Sequence, residues 1–590
     1  MMEYDSFLDR QPGGAVTAGT ALHFTVRGTD ADSVMLMLRQ DGQAALSTNL
    51  AHTADAFEGA TPPLSSGLWF YRFVVVGPRG TQILAPTRTG LGGVSVAYQE
   101  QAAAAWYQLT VVARQETVPA WYENARIYHI FVDRFNNGNA DGHVNAPKSN
   151  TFLYGQLTDD PYYVKDGAGE VVRWDFYGGN LQGISQQLDL IQQRGFTALY
   201  LSPIFEAASN HRYDTGDYFK IDPVLGTLAD FKALVQAVHA RGMHLILDGV
   251  FNHVGRDSRY FNALGHYPTV GAAQDAASPY ADWFTFKHFP DDYSSWWGVM
   301  DLPAINKQSQ SFHQFIAGGP DSVLGYWTGL GVDGWRLDVA DELDLDFLRQ
   351  IRQLLDRYPD RVVIGEVWED ASNKVAYGTR RPYLMGDMLQ SVMNYPQRTL
   401  ILEFVLGRQS AAAVLQQLLS LRENYPAAVF NSNFTSLGTH DTPRVLTVLN
   451  GDLTALAQAV LLWTVLPGNQ VGYYGDEVGL TGSADPANRK YYPWRRENQT
   501  VLNLYAQAAK WRQEPALQAA ALFTGFTFGA GLGVVRESAD QTLVALFNPT
   551  KAPLTFSRAQ ADLRYLSADQ QVRLRTTKIP AHSQVLQLLD

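Results

Sequence analysis

The stretch G334-W-R-L-D-V-A-D-E-L343, followed soon after by V363-I-G-E-V-W368, decides how the rest of the chain is read. Each is a short apolar strand ending in charge: Val332 to Leu337 delivers Arg336 and Asp338, and Val362 to Gly365 delivers Glu366. Between them Leu345, Leu348, Ile351 and Leu355 recur at helical spacing, which predicts an amphipathic helix from about Asp344 to Tyr358. A strand–helix–strand unit makes the two strands parallel neighbours with a right-handed crossover. Asp338 and Glu366 then emerge at the same C-terminal sheet edge, one strand apart. Two carboxyl groups so placed are what cleavage of a glycosidic bond requires, one as nucleophile and one as proton donor. The alternative is a salt-bridged pair with no chemistry.

Outward from this unit the same rhythm repeats. Strand-like runs near Ile127, Ala198, His244, Gly334, Val362, Met388, Ser436 and Gln470 alternate with helical patterns beginning near Ile184, Leu228, Gln310, Leu345, Ala411 and Leu453. Eight parallel strands with intervening helices predict an α/β chain built on a (β/α)8 barrel, whose site lies at the strand C-termini. The stretch 254–300, after the third strand, is Gly-, Pro- and aromatic-rich and predicts a small inserted lobe over the barrel mouth. Short β-rich runs between turns predict a β-sandwich over 1–116 and a second over 514–590, leaving 117–513 for the barrel. The first reads as an accessory or carbohydrate-binding-like domain, with packing or dimer contacts as its plainer role.

Composition narrows the partners. A formal charge of −12 and the absence of any basic run argue against nucleic acid and anionic membranes. No long apolar segment spans a membrane, and the start MMEYDSFLDRQPGG shows no signal peptide, so a cytoplasmic location is expected. With no cysteine, disulfides, thiolate catalysis and Cys-ligated zinc are excluded. The 13 Trp and 29 Tyr suit a surface that stacks on sugar rings, although large barrels also bury many aromatics.

Polar clusters stand at further strand ends: D248-G-V-F-N-H253 after the third, G438-T-H-D441 after the seventh and D485-P-A-N-R489 after the eighth. The second strand leads into N210-H-R-Y-D-T-G-D-Y218. One Asp or His in any such place is ordinarily structural; five strand ends carrying them together point to a site. In order and spacing these motifs resemble the α-amylase family of glycoside hydrolases, from about Trp121 to Trp494. The NHRYDTGDY stretch and M300-DLPAIN306 look most like its neopullulanase, cyclomaltodextrinase, maltogenic amylase and amylopullulanase branch.

The resemblance implies Asp338 as nucleophile, Glu366 as general acid/base and Asp441 as a third carboxylate that binds sugar hydroxyls. His253 and His440 would hydrogen-bond hydroxyls at the cleavage point, Tyr213 would stack on that ring, and Asp485 and Arg489 would grip it or the next. Arg336, grouped with the substrate-binding residues, shares the strand face of Asp338 and would keep it ionised. Glu366 needs to hold its proton. Asp248 and Asn252 read as supporting residues. Glu342 is a candidate for the acceptor side, and Trp296 and Trp297 for stacking platforms or lobe core.

After the first strand, N136-N-G-N-A-D-G-H143 spaces Asn137, Asn139, Asp141 and Gly142 like the oxygen ligands and sharp turn of a calcium loop. Lys148 at the twelfth position excludes an EF-hand. Relatives often bind calcium here with help from the GGN turn, implying Gly178 and Asn180 as further ligands, but Asn stands where they tend to carry Asp. A weak structural Ca2+ is therefore expected, with an Asx-turn loop as the alternative.

Together these readings predict a retaining α-glucan hydrolase acting on α-1,4 and conceivably α-1,6 bonds of maltodextrins, pullulan or cyclodextrins, as a monomer or homodimer. Transglycosylation at the same site and a non-catalytic glucan-binding protein are the alternatives.

Overall fold

The computed structural model describes residues 2–78 and 80–589. Its centre is an eight-stranded sheet whose pairings are all parallel. The strands are β1 (Arg126–Ile130), β2 (Ala198–Leu201), β3 (His244–Gly249), β4 (Gly334–Leu337), β5 (Val362–Gly365), β6 (Ser391–Val392), β7 (Phe434–Ser436) and β8 (Asn469–Tyr473). β8 pairs with both β1 and β7, and a Met393–Phe434 bridge joins the β6 edge to β7. The sheet is thereby closed into a barrel. All four residues of β2, β4 and β5 are buried, as strands covered on both faces must be.

The surrounding helices are α1 (Leu181–Gln193), α2 (Leu228–His239), α3 (Gln310–Ala317), α4 (Val323–Gly329), α5 (Leu345–Leu355), α6 (Tyr395–Val405), α7 (Ala411–Asn424), α8 (Leu453–Val465) and α9 (Gln499–Trp511). α5 is the helix expected between the two carboxylate strands; Asp344 caps it, and Phe347, Leu348, Ile351 and Leu355 form its buried face. The single helix expected from Gln310 to Leu330 is instead two. Gly318-Gly319-Pro320 interrupts it, because proline withholds an N–H and glycine disfavours the helix interior. The sixth strand is shorter than expected and the seventh begins two residues earlier than expected, at Phe434.

The stretch 254–300 is a mostly irregular lobe packed on its own aromatics: Phe261 lies 4.9 Å from Phe284 and 4.6 Å from Tyr293. A second excursion, between β1 and α1, carries a small sheet of Thr151–Leu153, Val164–Lys165 and Val171–Phe176. Sequence patterning did not reveal it, since its strands are short and half exposed.

The N-terminal region holds a four-stranded and a seven-stranded sheet around a common core that includes Phe24, Leu36, Tyr71 and Phe73. It is fastened to the barrel by buried ion pairs, Glu116 with Arg352 at 2.9 Å and Arg10 with Glu423. The C-terminal region is a five-stranded sheet beside a two-stranded one. Arg536 of that sheet donates to the Val465 carbonyl at the end of α8, 3.0 Å away.

Candidate active site

Leu337 and Gly365 pair across β4 and β5, so Asp338 and Glu366 occupy the next position on two adjacent parallel strands. Such strands lie about 4.8 Å apart. One guanidinium ties the two residues together. Arg336 Nη1 is 2.8 Å from Asp338 Oδ1 and 2.9 Å from Asp248 Oδ1, while Nη2 is 2.9 Å from Glu366 Oε2. Arg336 is fully buried and lies beneath the carboxylates, not among the groups facing the cavity. Expected among the sugar-contacting residues, it is placed behind them: Nη1 donates to Asp338 and Asp248, and Nε to Met393 Sδ.

Val339, directly after Asp338, adopts left-handed dihedrals (φ 39°, ψ 57°), a conformation that a β-branched residue rarely takes. The turn aims its N–H at Glu366 Oε2, 2.7 Å away. Backbone strain of this kind collects at functional sites. Trp368 donates from Nε1 to Glu366 Oε1 at 3.1 Å, and its ring stacks on Tyr395 at 3.8 Å. Asp248 accepts from Tyr200 at 2.6 Å and from Tyr213 at 2.9 Å.

Three buried carboxylates, Asp248, Asp338 and Glu366, therefore surround Arg336, while Asp441, exposed at the cavity, pairs with Arg489 at 3.8 Å. Burial, joined by the charge of its neighbours, pushes Asp338 well above the usual carboxylate range, even though Arg336 pulls it down. The same causes push Asp441 up to about 7, against the pull of Arg489 and Arg336. Arg336 thus acts on Asp338 in the expected direction, toward the ionised form, against burial and the neighbouring carboxylates.

Above the carboxylates opens a cavity of about 670 Å³. It is lined by the expected Tyr213, His253, Trp296, Asp338, Glu342, Glu366, His440, Asp441, Asp485 and Arg489. Burial drives His253 down to about 3 and His440 well below its ordinary range, so both imidazoles are neutral at pH 7. His253 Nε2 is buried without a protein partner, which leaves it available to a hydroxyl. Tyr213 stacks on His440 with ring centroids 5.3 Å apart. Arg489 is held by Asp485 at 2.8 Å, and Asp485 also accepts from Tyr163 of the small inserted sheet at 2.7 Å.

At the other end, Glu342 is held by Lys307 at 3.0 Å, by the Tyr377 hydroxyl and by Trp297 Nε1 at 3.3 Å. Trp297 is 79% exposed and stacks on Trp296, which stacks on His253. The tryptophan pair is thus a cavity wall, not lobe core. His211, expected from the NHRYDTGDY stretch to wall the mouth beside Tyr213, lines the cavity with it. Sequence reasoning missed Tyr163, Tyr377 and Lys374 at this mouth, which sit on excursions whose approach is set by long-range packing.

The proposed calcium residues lie on two segments brought together, the 137–141 loop and the 178–180 turn. Asn137 Oδ1 accepts from the Asn139 N–H at 2.9 Å and from Asn180 Nδ2 at 3.1 Å, while Asn180 Oδ1 caps α1 through Gly183 N at 2.8 Å. Asn139 Nδ2 donates to the His143 carbonyl at 2.8 Å. Asp141, the one carboxylate of the set, is exposed and pairs with His143 at 2.6 Å. Gly178 has φ 88°, and a Cβ on Gly179 would meet the Val132 carbonyl at 2.2 Å. Backbone geometry alone therefore explains both glycines. Among the described residues no cluster of three His, Asp or Glu could hold a metal, so this amide-rich set fits only a low-charge, weak calcium site. Among the described residues no helix is long and apolar enough to cross a membrane.

Comparison with known proteins agrees with this geometry. Residues 129–520 match the family described as alpha amylase, catalytic domain. An amylopullulanase of Thermoanaerobacter thermohydrosulfuricus is 35% identical over 511 residues, covering 76% of this chain and 33% of that protein. The chain spans about a third of the length of the amylopullulanases it matches. Neopullulanase 2 of Thermoactinomyces vulgaris is 33% identical over 461 residues, covering 76% of this chain and 71% of the relative. Among solved structures, the ligand-free cyclic alpha-maltosyl-(1→6)-maltose hydrolase of Arthrobacter globiformis superposes with a TM-score of 0.69 at 31% identity, covering 80% of this chain and all of that one.

Proposed function

Because the chain belongs to the α-amylase family of glycoside hydrolases, we propose that it cleaves α-glucosidic bonds of maltodextrins, cyclodextrins or pullulan by double displacement with retention. The observation that carries this reading is the pairing of Asp338 and Glu366 on adjacent strand ends, in the grip of one guanidinium. That spacing suits the retaining separation of about 5–5.5 Å better than the wider gap that leaves room for an inverting water.

In this mechanism Asp338 attacks the anomeric carbon as Glu366 gives its proton to the departing oxygen, forming a covalent glycosyl-enzyme. Glu366 then takes a proton from water, which releases the sugar and frees Asp338. The first step requires a proton on Glu366 and none on Asp338; Arg336, paired to Asp338 at 2.8 Å, favours the ionised nucleophile against the burial that raises it. Asp441 and Arg489, with neutral His253 and His440, would fix the hydroxyls of the ring under attack.

Newly released sugar is expected to be the α-anomer, read by proton NMR before mutarotation. The lobe wall with Trp296 and Trp297 and the facing wall with His211 and Tyr213 admit short or bent glucans, so raw granules are expected to react far more slowly than maltodextrin, cyclodextrin or pullulan. The pullulan products, panose, isopanose or maltotriose, identify the bond attacked. Early β-anomer would rule out the mechanism. Exposed Trp297, Trp368 and Tyr377 at the Glu342 end of the cavity favour transfer to sugar acceptors as a second activity.

Calcium is proposed as a weak structural ligand of Asn137, Asn139, Asp141, the Gly178 carbonyl and Asn180, bracing a loop that the amide network already holds. Chelator is then expected to lower the melting temperature by only about a degree or two and to leave turnover at 25 °C unchanged. Calcium-reversible loss of all activity at that temperature would contradict this role.

A further inference from the structure

The chain between Glu366 and β6 makes a long excursion, residues 369–386, whose inner side faces the cavity with Lys374, Ala376 and Tyr377. Its hairpin pairs Val375–Ala376 with Thr379–Arg380 around a Tyr377-Gly378 turn in which both residues have positive φ, 51° and 75°. Tyrosine rarely adopts such dihedrals, and strain of this kind persists only where the surroundings impose it. Here the imposed position brings the Tyr377 hydroxyl onto Glu342.

What imposes it includes the N-terminal sheet of the same chain. Strand Gly67–Gly77 turns Trp69, Tyr71 and Phe73 into the core of its own domain and leaves Phe70 on the opposite face, where Gln108 and Arg39 are its cross-strand partners. That face meets the excursion. Asp41 pairs with Arg380 Nε at 2.9 Å, and the Arg380 guanidinium lies 5.9 Å over the Phe70 ring. Gln108 donates to Ser372 Oγ at 2.9 Å and accepts from Asn373 Nδ2 at 2.7 Å. Arg380 in turn donates to the Asn373 carbonyl, closing a clamp across the base of the hairpin. Neither Asp41 nor Gln108 lines the cavity.

We propose that Asp41 and Gln108 are positioning residues for the leaving-group side of the site, acting through Arg380 and Asn373 to hold Tyr377 and Lys374 against the departing sugar. The proposal rests on the reading of Glu366 as proton donor, which makes the Glu342–Tyr377 end the leaving-group side. The N-terminal sheet is then part of substrate selection without touching substrate.

The test compares the full-length wild type with Asp41→Ala, Gln108→Met and the double variant on two substrates. One is maltohexaose, whose leaving group is a sugar; the other is 4-nitrophenyl α-maltoside, whose leaving group needs no sugar subsite. For the double variant, KM on maltohexaose is expected to rise about five- to tenfold with kcat little changed, while kcat/KM on the aryl maltoside stays within about twofold. Exchanging the charges, Asp41→Arg with Arg380→Asp, is expected to recover most of the loss caused by either change alone. Parallel loss on both substrates with a lowered melting temperature would reduce the contacts to plain structure and overturn the proposal, as would no change on either. A wild type that cleaves neither substrate would remove the catalytic reading itself, a failure visible before any variant is made.

Discussion

Replacing Asp338 by asparagine is expected to lower maltodextrin hydrolysis by about ten thousandfold or more while the protein stays folded, and Glu366→Gln to do nearly as much. Asparagine keeps the shape but cannot form the glycosyl-enzyme, and glutamine at 366 cannot supply a proton to the departing oxygen. The two variants separate by substrate. Glu366→Gln retains far more activity on an aryl maltoside, whose leaving group departs without a proton, whereas Asp338→Asn does not. Azide is expected to restore part of the turnover of Asp338→Gly by entering the space the carboxylate leaves. Stability moves the other way. Burial and neighbouring charges hold the Asp338 carboxyl well above the usual carboxylate range. A group raised in the fold contributes stability that is present below its unfolded value, near pH 4, and is lost as pH rises through the folded one. The neutral isostere escapes that loss, so Asp338→Asn is expected to melt no lower than wild type at pH 5 and somewhat higher at pH 8. Near-wild-type turnover by Asp338→Asn would end the assignment.

The adjacent placement of Asp338 and Glu366 was legible because each carboxylate terminates a short apolar run and the helix between them has an unambiguous apolar face. Asp441, His253, Asp485 and Arg489 were legible for a related reason: barrel topology sends strand ends to one rim, so a polar cluster after a strand is already localised. Three features escaped. Arg336 was placed on the correct strand face, but its grip on Asp248 and Glu366 as well as Asp338 depends on register across three strands. Asp248, read as a supporting residue, accepts hydrogen bonds from Arg336, Tyr200 and Tyr213. The left-handed turn at Val339 has no sequence signal, because valine is among the residues least suited to it. Tyr163 and Tyr377 ride on excursions whose strands are two to six residues long, too short for periodicity to reveal. The break of the expected Gln310 helix, by contrast, was written in Gly318-Gly319-Pro320 and was overlooked in favour of the longer apolar pattern.

Arg336→Met is the variant expected to damage stability most. The side chain is fully buried and makes ion pairs of 2.8–2.9 Å with Asp338, Asp248 and Glu366, so its removal strands three carboxylates away from water. Breaking one partner out of a buried ionic group costs about 3–5 kcal/mol, because the charge left behind has no compensation. The carboxylates can escape by binding protons, which fixes the pH dependence of the defect. Burial already raises Asp338 and Asp248, and without the guanidinium they rise further, so stability lost as pH climbs above about 4 in the wild type is lost more steeply and to higher pH in the variant. The gap in melting temperature between wild type and Arg336→Met is therefore expected to be small at pH 5 and large at pH 8. Activity is expected to fall by about a hundredfold or more even where the variant is folded, since Asp338 and Glu366 lose the common anchor that sets their separation. Arg336→Lys is expected to restore part of the stability and less of the activity: an ammonium supplies the charge but not two nitrogens held in one plane to orient both carboxylates. A stability gap that stays constant from pH 5 to pH 8 would mean that Arg336 acts by packing and not by compensating the buried carboxylates.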